Sequence, residues 1–157
     1  MTKLDFLHKL RKEGKLQVVE PSEEMSQSYL IKSGKWKNAA QVVYGAELYE
    51  PAVSIAYYEM YNSVIALFFK CGIKCENHTA SVILLAEIFQ FESLANNLDE
   101  FRKERIDSQY YVHQNIPKQE CKSLLDTAQK FQVSLLSYMK TLTNADIENI
   151  RTKIKKI

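Results

Sequence analysis

A chain of 157 residues, 46% of them hydrophobic, is long enough for one domain with a substantial core, and its four glycines and three prolines allow few turns, so an all-α bundle is the default architecture. The net charge of +2 is unevenly placed: Lys3, Lys9, Arg11, Lys12 and Lys15 gather at one end, Arg151, Lys153, Lys155 and Lys156 at the other, and the stretch between is net acidic, which excludes a broad basic surface gripping long nucleic acid but not a local phosphate site. Cys71, Cys75 and Cys121 are odd in number and form no C-x-x-C, so they read as free thiols of a reducing cytoplasm rather than a disulfide framework or zinc site, and no long apolar run follows the first basic residues as a signal peptide requires.

Residues 2–13 predict a short amphipathic helix with Leu4, Leu7 and Leu10 on one face and Gly14 as its stop. Residues 16–21 read as an extended connector, because Pro21 holds Glu20 out of the helical region. Together 1–21 make an N-terminal helix and connector. Ser22 then caps a second helix to about Tyr44, with Glu23 and Glu24 in its first turn. Its inner face is Tyr29, Leu30, Trp36, Ala40 and Val43, and Gly34 is a candidate kink. The turn at Gly45–Glu50 leads into the stretch around which the chain is organised.

That stretch runs from Tyr49 to Gly72. Pro51 suits a first helical position and Gly72 a left-handed residue just past the end. Val53, Ala56, Tyr57, Met60, Val64, Leu67, Phe68 and Cys71 recur at three- and four-residue steps, and Ile55, Tyr58, Ile65 and Phe69 make the opposite side apolar as well. A helix apolar nearly all round is a buried central helix. Ser54, Glu59, Asn62, Ser63 and the tyrosine hydroxyls argue against a membrane span. Tyr57, Tyr58 and Tyr61 read as core residues with hydroxyls satisfied across the bundle rather than as base-stacking platforms.

Asn77 or Thr79 caps a fourth helix, residues 79–91, with Val82, Leu85, Ile88 and Phe89 inward. A fifth spans Leu94 to Val112. A sixth runs from Pro117 to Leu142, burying Leu124, Leu125, Ala128, Phe131, Leu135, Leu136 and Tyr138. Residues 22–142 thus form the bundle. Residues 143–157 are a basic amphipathic helix, capped by Thr143 or Asn144, with Ile147, Ile150, Ile154 and Ile157 in a narrow stripe. Anionic lipid or RNA would suit such a tail, but docking on the bundle or on a partner chain is the simpler expectation.

The fifth helix carries the anomaly. At about 100° per residue, Leu94, Leu98, Phe101, Arg105 and Val112 fall within about a sixth of its circumference, beside Gln109 and flanked by Arg102 and His113. An arginine on an apolar face must be paired. One partner is a buried acid, Glu59 or Asp107 of a second copy; the other is a ligand anion. Arg105 presents a planar fork that matches phosphate, and His113 can move a proton near neutral pH. Such a pair could hold a scissile RNA phosphate while the 2′-hydroxyl attacks, with no metal. His78, at the start of the fourth helix, could contact a phosphate or serve only in the cap. No Gly-rich phosphate loop, metal-ligand cluster or G-x-S-x-G occurs.

Residues 48–61, LYEPAVSIAYYEMY, resemble the LYxxAVSxAYYAMY helix of prokaryotic HEPN (higher eukaryotes and prokaryotes nucleotide-binding) domains. Gly72-Ile73-Lys74 with His78-Thr79 is similar to that family's GIKxxxHxG turn, and residues 102–110 are similar to its RxxADY segment. Residues 117–131 resemble its last bundle helix. The resemblance covers about residues 22–140. It implies an up-and-down antiparallel helical bundle, a homodimer with two Arg-bearing helices facing across a cleft, and no cofactor. Many members are metal-independent ribonucleases, others are binding modules, and many pair with a minimal nucleotidyltransferase, in toxin–antitoxin fashion. Some such partners modify a tyrosine near the catalytic motif. Arg105 carries over as the family arginine and Tyr110 as the tyrosine of the RxxADY branch, whose Asp is Gln109 here. In the ribonuclease pattern four to six residues separate Arg from His, whereas seven separate Arg105 from His113. The combined expectation is a cytoplasmic module that binds nucleotide or RNA at Arg102, Arg105, Gln109, Tyr110 and His78. The rivals are a ribonuclease using Arg105 and His113 and a purely structural helical dimer.

Overall fold

The computed structural model describes residues 1–110 and 115–157, and all of their side chains except those of 108–110. Among these residues lie seven helices and two short strands: α1 Lys3–Lys12, β1 Leu16–Val18, α2 Glu23–Gly45, α3 Tyr49–Lys70, β2 Ile73–Cys75, α4 His78–Glu87, α5 Glu92–Tyr110, α6 Lys118–Thr141 and α7 Asn144–Lys155. The fold is a helical bundle with α3 as its axis. α2 lies along α3 as an antiparallel partner, and α5 and α6 close the other sides. By length and composition α3 could cross a bilayer, but its apolar side chains are spent inside the bundle: Val53, Ala56, Tyr57, Met60, Val64, Leu67 and Phe68 are all buried.

The ends of α3 show why it sits where it does. The helix begins at Tyr49, so Pro51 is its third residue rather than its first, still among the positions whose N–H has no intrahelical partner. At the other end Gly72 takes φ +73°, and a Cβ there would lie 2.4 Å from the carbonyl oxygen of Val19. Only glycine allows that approach. Val19 N–H donates to the Gly72 carbonyl at 2.8 Å and Ser22 N–H to that of Phe69 at 2.9 Å, which ties the start of α2 to the end of α3.

The expected connector at residues 16–21 is in part a strand. Leu16–Val18 pairs antiparallel with Ile73–Cys75, Leu16 opposite Cys75 and Val18 opposite Ile73. Each segment supplies the other's backbone partners, and Leu16, Ile73 and Cys75 turn inward. α2 runs unbroken through Gly34. α4 stops at Glu87 rather than continuing to residue 91, because Gln90 takes φ +59° and Phe91 N–H turns back to the Leu85 carbonyl at 2.9 Å. Asn77 is the α4 cap, accepting from Ala80 N–H at 2.8 Å. On α4, Leu84 is buried and Val82 only partly so. On α6, Leu124, Leu136 and Tyr138 are only partly covered, while Met139 is buried.

Both terminal helices dock on the bundle. Leu7 and Leu10 of α1 and Ile150 and Ile154 of α7 join the same core as α3. Arg11 donates to the carbonyls of Ile154 at 3.0 Å and Lys155 at 3.1 Å, placing its charge at the negative end of α7. His8, given no role by the sequence, donates through Nδ1 to the Ile157 carbonyl at 2.6 Å.

Candidate functional site

On α5, Leu98 and Phe101 are buried against the bundle, and one turn beyond Phe101 the same face carries Arg105 onto α3. Its guanidinium carbon lies 5.3 Å from the ring centroid of Tyr57 and 5.8 Å from that of Tyr58, within cation–π range of both. Nη1 donates to the Tyr58 hydroxyl at 3.3 Å, while Nε is buried with no acceptor. Among the described residues no carboxylate pairs with Arg105.

The anticipated pairing with Glu59 of the same chain is therefore absent. Glu59 is 2% exposed, and the charge acting on it is that of Lys37 on α2. Its backbone carbonyl accepts from Ser33 Oγ at 2.6 Å, and that hydroxyl in turn accepts from Gln132 Nε2 at 2.8 Å, which pins α2, α3 and α6 together beneath it. Consecutive α3 residues point to different sides: Tyr57 and Tyr58 meet α5, whereas Glu59 is beside α2.

His78 joins the Arg105 side of the molecule. It is the first residue of α4, held there by the Asn77 cap. Its ring stacks on Tyr61 with centroids 4.0 Å apart and planes 7° from parallel, and Nδ1 lies 2.5 Å from the Tyr57 hydroxyl. Burial raises the Tyr57 pKa well above the usual phenol range, so Tyr57 stays protonated. Burial also lowers the His78 pKa below its ordinary value, helped by the charges of Arg105 and Arg102, so the ring is neutral at pH 7. Tyr57 Oη and His78 Nδ1 share one hydrogen bond, and the tautomer of the ring decides which of them donates. Burial pushes Tyr61 up to about 12.

Arg102 is engaged locally. Its Nε and Nη2 donate to Asp99 Oδ1 at 3.0 and 2.8 Å, and Lys103 holds the other Asp99 oxygen at 2.9 Å. His113 and Val112 lie outside the described residues, as do the side chains of Gln109 and Tyr110. The structure thus brings together Arg105 and His78 and leaves Arg102 on its own carboxylate.

Two of the three tyrosines expected in the core are not fully enclosed. Tyr57 is buried, but Tyr58 and Tyr61 are partly exposed and line a groove of about 400 Å³ with Tyr29, Trp36, Asn62 and His78. Tyr58 is shared: its ring lies 5.1 Å from Trp36 on the groove side and its hydroxyl meets Arg105. The signal for this was present in the sequence as Tyr57 and Tyr58 at successive positions, about 100° apart around the helix, so that the two rings cannot share one inward direction. Among the described residues no group of His, Cys, Asp and Glu is placed to hold a metal ion.

The class is a helical bundle whose central helix offers adjacent tyrosines to an arginine that has no carboxylate partner among the described residues. The HEPN domain family model matches residues 26–137, most of the chain, and the protein belongs to that family. The matched segment starts within α2 and ends within α6. Comparison with curated proteins gives no match.

Proposed function

We propose that the protein is a nucleotide- or RNA-binding module whose phosphate position is Arg105, with the Tyr58 hydroxyl and His78 beside it. The observation that carries this is the state of Arg105: a half-buried guanidinium over two tyrosines, with one N–H unsatisfied and no carboxylate partner among the described residues. Such a charge calls for an anion, and the planar fork suits phosphate. Membership of the family extends the proposal to a cytoplasmic homodimer that works beside a minimal nucleotidyltransferase. Binding ranks above catalysis because seven residues separate Arg105 from His113, and because burial keeps the described hydroxyl Tyr57 and the thiol Cys75 protonated.

The test is titration of purified protein with 5′-mononucleotides and with RNA in excess chelator, alongside Arg105→Ala and Arg105→Lys. Saturable binding weakened about ten-fold or more in Arg105→Ala, and only partly restored in Arg105→Lys, is the expected result. A bound phosphate should also raise the His78 pKa, seen as a shift of its ring-proton titration by NMR. Unchanged affinity in a folded Arg105→Ala variant would refute the assignment. RNA cutting in chelator that is lost in both Arg105→Ala and His113→Ala would replace it with the ribonuclease reading.

A further inference from the structure

We infer that the aromatic groove between α2, α3 and the β2–α4 connection is a base-stacking subsite for single-stranded RNA, continuous with the phosphate position at Arg105. The inference rests on the phosphate reading above and adds where the adjoining base goes. Three observations carry it. The first is composition: Trp36, Tyr58, Tyr61 and His78 present ring surface to one groove of about 400 Å³, within the range of small-molecule sites. Rings that a bundle could bury instead remain partly open here. The Trp36 and Tyr58 rings lie 5.1 Å apart with planes tilted by 31°, Tyr61 and His78 form a flat pair, and all four side chains are only half-buried.

The second observation is continuity. Tyr58 belongs to both places, with its ring beside Trp36 and its hydroxyl on Arg105 Nη1. A phosphate at Arg105 and a base against Trp36 would sit on opposite sides of one side chain, as adjoining parts of one nucleotide unit do. The third is charge. Lys32 also lines the groove, with its Nζ 5.8 Å from the Tyr29 ring centroid. It makes none of the ion pairs among the described residues, whereas Lys74 on the groove is held by Glu76 at 3.0 Å. Lys32 is placed to meet a second phosphate. A base between two cations is the pattern of a strand rather than of a lone nucleotide, and ring faces are open to stacking only when the strand is unpaired.

Trp36 is the only tryptophan of the chain, so its emission reports occupancy of the groove directly. The probe is a single-stranded RNA of about eight nucleotides, within the ~4–16 typical of such sites. The same RNA annealed to its complement, and AMP alone, serve as comparisons. The expected result is saturable quenching of Trp36 by the single strand, with much weaker binding of the duplex and of AMP. By anisotropy of labelled RNA, Trp36→Leu should bind about ten-fold more weakly or worse, with Trp36→Phe recovering part of the loss. Tyr61→Leu, which leaves the tryptophan in place, gives a second test should Trp36→Leu fail to fold. Binding that needs Arg105 but leaves Trp36 emission and the Trp36→Leu affinity unchanged would overturn the groove and spare the phosphate site. AMP binding as tightly as the strand would overturn the strand. No binding of any probe would overturn both readings.

Discussion

Glu59 sits at the centre of the bundle with one carboxyl oxygen unpartnered. Burial pushes its pKa up to about 7 from an ordinary 4.5, against a smaller opposing pull from Lys37. The folded state therefore holds this proton more tightly than the unfolded chain does. The resulting stability is fully present below about pH 4.5 and is lost as pH rises through 7. Glu59→Gln should remove the dependence. Urea unfolding at pH 8 should find the variant more stable than wild type by roughly 1–3 kcal/mol, with little difference at pH 5. An equal effect at both pH values would rule out the charged carboxylate as the cause. Glu59 also shows where sequence reasoning ended. A helical wheel places Arg105 on an inward face but does not say which side of α3 receives it, and a rotation of one residue separates Tyr58 from the acid expected to pair with Arg105.

At the scale of elements, the helices were legible because their apolar spacing, their caps at Ser22, Asn77 and Thr143, and the stop at Gly72 agree with one another. The ladder was not. β1 and β2 are three residues each, and their partners lie two helices apart in the chain, so neither segment could announce the other. Gly72 is the joint between these elements. Gly72→Ala must accept a left-handed backbone and push the Val19 carbonyl away, a loss of about 2 kcal/mol or more. The same shift would move β2 and with it His78. Denaturant unfolding with a His78 NMR spectrum should record both effects, and a variant as stable as wild type with an unmoved His78 signal would contradict the account.

For the whole molecule, the family match covers residues 26–137, but the core does not stop there. Leu7, Leu10, Leu16, Ile150 and Ile154 come from outside it. The isoleucine stripe of the basic C-terminal helix was legible in the sequence, while its docking surface was not, because that surface draws on α1 and β1 from the far end of the chain. Arg11 is the clasp. Arg11→Ala should loosen α7 by roughly 1–3 kcal/mol, since it deletes charged hydrogen bonds to two carbonyls. Hydrogen exchange should quicken in α7 and leave α3 and the groove unchanged; protection lost evenly along the chain would mean that the clasp is not local.

The three buried thiols give the protein a record of its own opening. Cys71 closes α3, Cys75 lies in β2 and Cys121 lies near the start of α6, so each is shielded by a different part of the fold. Burial also keeps Cys71 a poor nucleophile, its pKa pushed up to about 12. A thiol reagent reaches each only when its own cover lifts. Three labelling rates read from one sample would separate a ladder that breathes alone from a bundle that opens as a unit.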